Sequence, residues 1–114
     1  KIEEGLYVTA FSSDIGKSKK KEYDNFGIIN DKTRGVLRLG SAALALAYLA
    51  CGRIDGFWAK GLYPWDIAGG LALVNEAGGH VSSGKGKKYS LESRVLIASN
   101  SCIHGHLINN LTDL

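Results

Sequence analysis

The spacing of hydrophobic positions changes several times along the 114-residue chain, and each change marks an element. Leu6–Phe11 (LYVTAF) is rich in β-forming residues and predicts a strand. Ser12–Lys21 is polar and predicts a mobile loop. Through Glu22–Lys32, Tyr23, Phe26 and Ile29 predict one side of a helix, although Gly27 sits inside it. Gly35–Leu39 (GVLRL) predicts a short strand. In SAALALAYLAC, Ser41 is a favourable N-cap and Gly52 suits the position just past the end. The helix between them is apolar nearly all round, so burial on most faces is expected. Arg53–Ala59 predicts a strand. The helix opened by Asp66 aligns Ile67, Leu71, Val74 and Ala77 and closes at Gly78-Gly79. His80–Ser82 reads as extended, Ser83–Ser90 as a Gly/Lys loop, Val95–Ser99 as a strand and His104–Leu111 as a helix. This alternation predicts an α/β layered sandwich, a mostly parallel mixed sheet flanked by helices, in one domain.

Composition narrows the picture. At 45% hydrophobic residues the chain can bury a core. The net charge of +3 is mildly basic, and Lys and Arg cluster only at Lys17–Lys21 and Lys85–Lys88. No aromatics interleave with those clusters, so they read as solvated loops rather than a nucleic-acid platform. Cys51 and Cys102 are too few for a disulfide framework; Cys51, in an apolar run, reads as a buried thiol in a reducing, cytoplasmic setting. The longest apolar run, Ala42–Cys51, is too short to span a bilayer, so no membrane partner is expected. The chain has no methionine, which either a processed N-terminus or membership of a longer protein would explain.

Candidate chemistry centres on Asp66 in GLYPWDIAGGLALVNEAGG. An aspartate at a helix start can cap it. It can also hold a hard cation such as Mg²⁺, because Ala68, Gly69 and Gly70 leave no bulk beside the first turn. Pro64 would fix the approach, with Trp65 wedged against the core. Gly40-Ser41 poses the same choice between a cap and an anion-binding turn. His80, His104 and His106 read as ordinary surface histidines, since i,i+2 side chains on a helix diverge. Ser82 and Ser83 lack a recognisable base, so serine-hydrolase chemistry has little support. Asp55 reads as a turn residue and Glu76 as a packing or solvent position. Lys60 and Lys85 could attract anions, but spacing singles out neither.

WDIAGGLALVNEAGG resembles the C-terminal signature of the inositol monophosphatase family: Trp-Asp, a small-residue helix, then Glu-Ala-Gly-Gly. LRLGSAALALAYLACGRIDGFW is similar to the segment before that signature, SRVLIASN to the last strand, and LYVTAF to the strand opening the family's second half. The resemblance implies that 1–114 is the C-terminal domain of a Mg²⁺-dependent, lithium-sensitive phosphomonoesterase, with the N-terminal catalytic half absent. Metal-activated water would hydrolyse inositol 1-phosphate or a similar small polyol or sugar phosphate, in a homodimeric parent. By resemblance, Asp66 is the catalytic, metal-ligating carboxylate, and Gly40, Ser41 and Ala42 form the turn that touches substrate. The family's other metal carboxylates, a Glu-Glu pair and an Asp-Pro-x-Asp-Gly-Thr stretch, are not in this chain. The chain alone is therefore expected to be inactive, and to expose apolar surface where the other half packs. Ala59 stands at a substrate-binding position where many members carry a sugar-contacting Glu, which keeps histidinol phosphate or a sugar bisphosphate open as substrates. Some proteins resembling the family act on RNA or transcription complexes, so a binding module of that kind is the less favoured alternative.

Overall fold

The alternating residues of three strands sort the core into two halves. In the computed structural model, which describes residues 2–10, 19–90, 95–100 and 102–111, β1 (Leu6–Ala10) turns Tyr7 to one face and Val8 to the other. β3 (Gly56–Lys60) does the same with Trp58 against Phe57 and Ala59, and β5 (Val95–Ser99) with Ile97 against Leu96 and Ala98. Val8, Phe57, Ala59, Leu96 and Ala98 meet Ala45, Leu46 and Leu49 of α2 (Ala42–Ala50) and Ile67 and Val74 of α3 (Pro64–Glu76). Tyr7, Trp58 and Ile97 meet Ile29 of α1 (Lys20–Lys32) and Leu107 of α4 (His104–Asn110). A sheet covered on both faces needs apolar residues at successive positions, which is why these strands read as continuous hydrophobic runs.

With β2 (Gly35–Arg38) and β4 (His80–Ser82), the strand order is β2-β1-β3-β5-β4. The layered α/β sandwich holds. Its sheet is mixed more evenly than the alternation predicts: β1 is parallel to β2 and β3, whereas β5 is antiparallel to β3 and β4. Parallel neighbours need a long crossover, usually a helix. The described part of the β4–β5 connection carries only a 3-10 turn at Gly84–Gly86, so β5 returns antiparallel.

Several local expectations shift. Residues 11–18, most of the predicted loop, lie outside the described residues; Lys20 and Lys21 belong to α1. Tyr23 is 54% exposed, and Asn25 joins Ile29 on the buried side of α1 instead. α2 buries Ala45, Leu46 and Leu49 but exposes Leu44, because α3 and the sheet occupy one side of it only. Cys51 lies beyond the last turn of α2 and is exposed, not buried; its thiol faces the Tyr48 carbonyl at 3.5 Å. β3 starts at Gly56 because Asp55 turns the chain: its carboxylate accepts the Leu6 N–H at 2.9 Å and the Asn100 amide at 3.2 Å. Among the described residues no helix is long and apolar enough to cross a membrane.

The two glycines of α3 answer to different constraints. A Cβ on Gly70 would lie 2.7 Å from Leu46 Cβ, so α3 approaches α2 closely there. A Cβ on Gly69 would meet nothing within 4 Å. Gly69→Ala is expected to stabilise the protein by up to about 1 kcal/mol through helix propensity. Gly70→Ala should destabilise it by about 1–3 kcal/mol through overpacking. Urea unfolding of the two variants should move the midpoint in opposite directions; movement in the same direction would refute the packing argument.

Candidate active site

The parallel strands β2, β1 and β3 all end at one side of the molecule. Gly40 follows β2, Ala10 ends β1 and Lys60 ends β3. In open α/β sheets the carboxyl ends of parallel strands are where ligands bind. A cavity of about 430 Å³ lies there, lined by Gly40, Ser41, Ala42 and Ala43 on one side and by Lys60 to Tyr63 and Asp66 on another. The structure thus brings together Asp66 and the Gly40-Ser41-Ala42 turn. These positions lie far apart in sequence.

The turn is shaped by the start of α2. Ser41 is its N-cap, and Ser41 Oγ accepts the Leu44 N–H at 3.1 Å. The Ser41 carbonyl accepts the Ala45 N–H. The Ala42 and Ala43 N–H groups make no hydrogen bond among the described residues, and both residues line the cavity. Free amides at the positive end of a helix dipole attract anions, phosphate above all.

Asp66 is the third residue of α3, behind Pro64 at its first position. Its Oδ2 accepts the Tyr63 N–H at 3.4 Å, a long bond that gives half of a capping box. Its other carboxylate oxygen makes no hydrogen bond among the described residues, and the side chain is exposed. The cap and ligand readings are therefore compatible: one oxygen holds the helix start loosely while the other faces solvent. Mg²⁺ commonly takes one or two carboxylates, with water and substrate phosphate supplying the remaining oxygens. Asp66 fits one such arm. No cluster of three or more His, Cys, Asp or Glu residues capable of holding a metal occurs among the described residues.

Ala59 is not part of this lining. It is 1% exposed and packs in the α2/α3 core, because the strand alternation turns its methyl inward. Lys60, which spacing did not distinguish, is on the cavity wall; its place at the end of a central parallel strand was the available signal. Trp65 does not wedge into the core. It is 76% exposed and stacks flat on Tyr63, with ring centroids 4.7 Å apart.

The histidines divide. His106 is exposed, whereas His104 is 6% exposed and bonded through both ring nitrogens. Ser82 Oγ lies 2.8 Å from Nε2 and Ser99 Oγ 2.5 Å from Nδ1. Burial and then the neighbouring His80 ring, 4.5 Å away, push the His104 pKa down to about 4. Ser82 thus has a histidine partner that spacing did not reveal. Its hydroxyl is buried and donates to the Ser83 carbonyl at 3.1 Å, so the group ties elements together rather than attacking a substrate.

A sequence model of the inositol monophosphatase family matches residues 1–114. The chain is 41% identical over 106 residues to the inositol-1-monophosphatase of Synechocystis sp., covering 93% of this chain and 37% of that protein. It is 49% identical over 70 residues to the Nus factor SuhB of Pseudomonas aeruginosa, covering 61% of this chain and 26% of that one. The solved inositol monophosphatase from Anabaena (Nostoc) sp. superposes with a TM-score of 0.93 at 37% identity, over 100% of this chain and 45% of that one. The chain therefore spans less than half the length of these relatives. On the match along its whole length and the shared fold, the chain belongs to the inositol monophosphatase family.

Proposed function

We propose that residues 1–114 form the phosphate-facing C-terminal part of a Mg²⁺-dependent phosphomonoesterase that acts on inositol 1-phosphate or a similarly small phosphorylated polyol. The observation that carries this reading is the cavity shared by Asp66 and the Gly40-Ser41-Ala42 turn. The turn's unbonded amides hold phosphate oxygens, and Asp66 offers one carboxylate oxygen to the metal. When bound, Mg²⁺ would supply Lewis acidity and the means to activate a water. Gly40 keeps the wall low enough for a phosphate to approach the backbone: a Cβ there would meet nothing, so the space beside it is open. One carboxylate does not make a complete site. The full activity therefore belongs to a longer polypeptide, in which side chains such as the exposed Trp65, Leu37 and Leu73 have partners to pack against.

The test is a titration of the ¹⁵N-labelled chain with inositol 1-phosphate, with and without Mg²⁺. The largest shifts should fall at Gly40, Ser41, Ala42 and Asp66 and weaken when EDTA removes the metal. Shifts confined to another surface would refute the reading.

A second reading, a module binding RNA or a transcription complex, draws on the SuhB relative, which is named as a Nus factor. Lys19, Lys20 and Lys21 open α1, but Lys20 is engaged by Asp24 at 3.0 Å. RNA affinity that disappears on replacing these lysines with Gln would favour it over the phosphatase.

A further inference from the structure

We propose that Tyr63 is a specificity-determining residue of this cavity: its ring is a flat platform for the alcohol part of the substrate and selects a cyclic polyol phosphate over an open-chain one. This rests on the reading of the cavity as a phosphate-ester site. Tyr63 and Asp66 line the cavity together. The backbone leaves Tyr63 little choice of position. Gly61, with φ of +83°, turns the chain at the end of β3. Tyr63 follows in extended backbone as the N-cap of α3, the conformation that the next residue, Pro64, favours. Its N–H donates to Asp66 Oδ2 at 3.4 Å, and its carbonyl accepts the Asp66 N–H at 2.9 Å. Tyr63 is thus tied through both backbone polar groups to the residue whose carboxylate faces the cavity. Its ring is held as well: Trp65 lies flat on it, with centroids 4.7 Å apart and planes 3° from parallel. The stack covers one face of the Tyr63 ring, yet the residue keeps 48% exposure, so the other face stays open.

The rest of that wall offers a substrate little else. Gly61 has no side chain, and Leu62 packs against the α2/α3 core. Lys60 shares the strand parity of Trp58, which turns its side chain to the α1 face of the sheet, where it shares a hollow with Glu22 and Asn25. Tyr63 and Asp66 are therefore the side chains of this wall that meet the part of the substrate beyond its phosphate. A cyclic polyol presents a face of ring C–H groups and directs its hydroxyls outward from the rim. Laid on an aromatic ring, that face removes apolar surface from water while the hydroxyls stay solvated. An open-chain polyol has no such face until its carbon chain is ordered, which costs rotational freedom. A tyrosine already held by a stack brings little ordering cost of its own. The cavity's volume of about 430 Å³ is in the range of small-ligand sites and admits a six-membered ring.

The experiment compares inositol 1-phosphate with glycerol 1-phosphate, each titrated with Mg²⁺ into the ¹⁵N-labelled chain, for the wild type and for Tyr63→Phe, Tyr63→Ala and Trp65→Ala. The wild type should prefer the cyclic ester by about tenfold, the worth of removing roughly 60 Å² of apolar surface from water. Tyr63→Phe keeps the ring and should keep that ratio. Tyr63→Ala should bring it close to one by weakening the cyclic ester and leaving the open-chain ester as it was. Trp65→Ala should lower the ratio in part, because the ring is no longer held. Tyr63 and Trp65 are exposed, so these variants should keep the wild-type spectrum away from the cavity. A ratio that survives Tyr63→Ala would overturn the proposal. So would a ratio lost in Tyr63→Phe, which would assign the selection to the hydroxyl. If both esters shift the Gly40-Ser41-Ala42 turn with equal affinity in the wild type, Tyr63's role fails and the phosphate-ester reading stands. If neither ester shifts the turn, both fail.

Discussion

Asp66→Asn is expected to lower Mg²⁺-dependent phosphatase activity by on the order of a thousandfold, measured in a polypeptide that completes the cleft; losing even one charge-stabilising donor from an active site has effects of about that size. The same variant should leave stability nearly unchanged. Asparagine is as good an acceptor at a helix start as aspartate, and the bond at stake, from the Tyr63 N–H, is long at 3.4 Å. The substitution therefore separates the two roles of this side chain. A cap needs an acceptor oxygen, which asparagine keeps; a Mg²⁺ arm needs the negative charge, which asparagine lacks. A shifted unfolding midpoint with full activity would mean that Asp66 only caps α3. Unchanged unfolding with activity lost would make it a ligand. The 114-residue chain alone should show no turnover at all, since no group of three or more His, Cys, Asp or Glu residues able to hold a metal occurs among the described residues.

The strands and helices were legible because each obeys a local rule. Tyr7/Val8 and Phe57/Trp58 alternate between two cores, and Ile67 and Val74 keep a helical period. The pairing of Asp66 with the Gly40-Ser41-Ala42 turn was legible only through the family resemblance. Nothing local says that the ends of β2 and β3 flank the end of β1 on one side of the sheet. The sense of β5 was not legible either, because it depends on how a loop crosses the sheet. Burial of single side chains failed where tertiary context decides it. Cys51 and Trp65 are apolar in character yet exposed: one falls beyond the end of α2 and the other stacks on Tyr63. Lys60 went unranked because a lysine at a strand end is unremarkable until the other walls of the cavity are known.

His104 gives the clearest case of chemistry hidden from spacing, and it implies a strong pH dependence of stability. Ser82 Oγ donates to the Ser83 carbonyl, so it accepts from Nε2–H of His104, which leaves Nδ1 to accept from Ser99 Oγ–H. The neutral ring is satisfied on both sides and ties α4 to β4 and β5. A second proton would place N–H on Nδ1, opposite a hydroxyl already donating to it, in a buried site facing His80 from β4. The folded pKa is therefore lowered to about 4 from 6.5. Above pH 6.5 neither the folded nor the unfolded chain binds the proton, and the full stability is present. As pH falls from 6.5 to about 4, the unfolded chain takes up a proton that the folded one refuses, so stability declines. Below that the loss levels off at roughly 3 kcal/mol, a large share of a typical domain's stability. Urea midpoints at pH 7 and pH 4.5 should differ much more for the wild type than for His104→Leu. That variant should be weaker at pH 7 by about 1–3 kcal/mol, because the buried Ser99 hydroxyl loses its partner. Comparing the two slopes removes the carboxylates, which titrate alike in both proteins. Parallel slopes would mean that His104 is already solvated in the folded state, and that the serine pair does not hold α4 to the sheet.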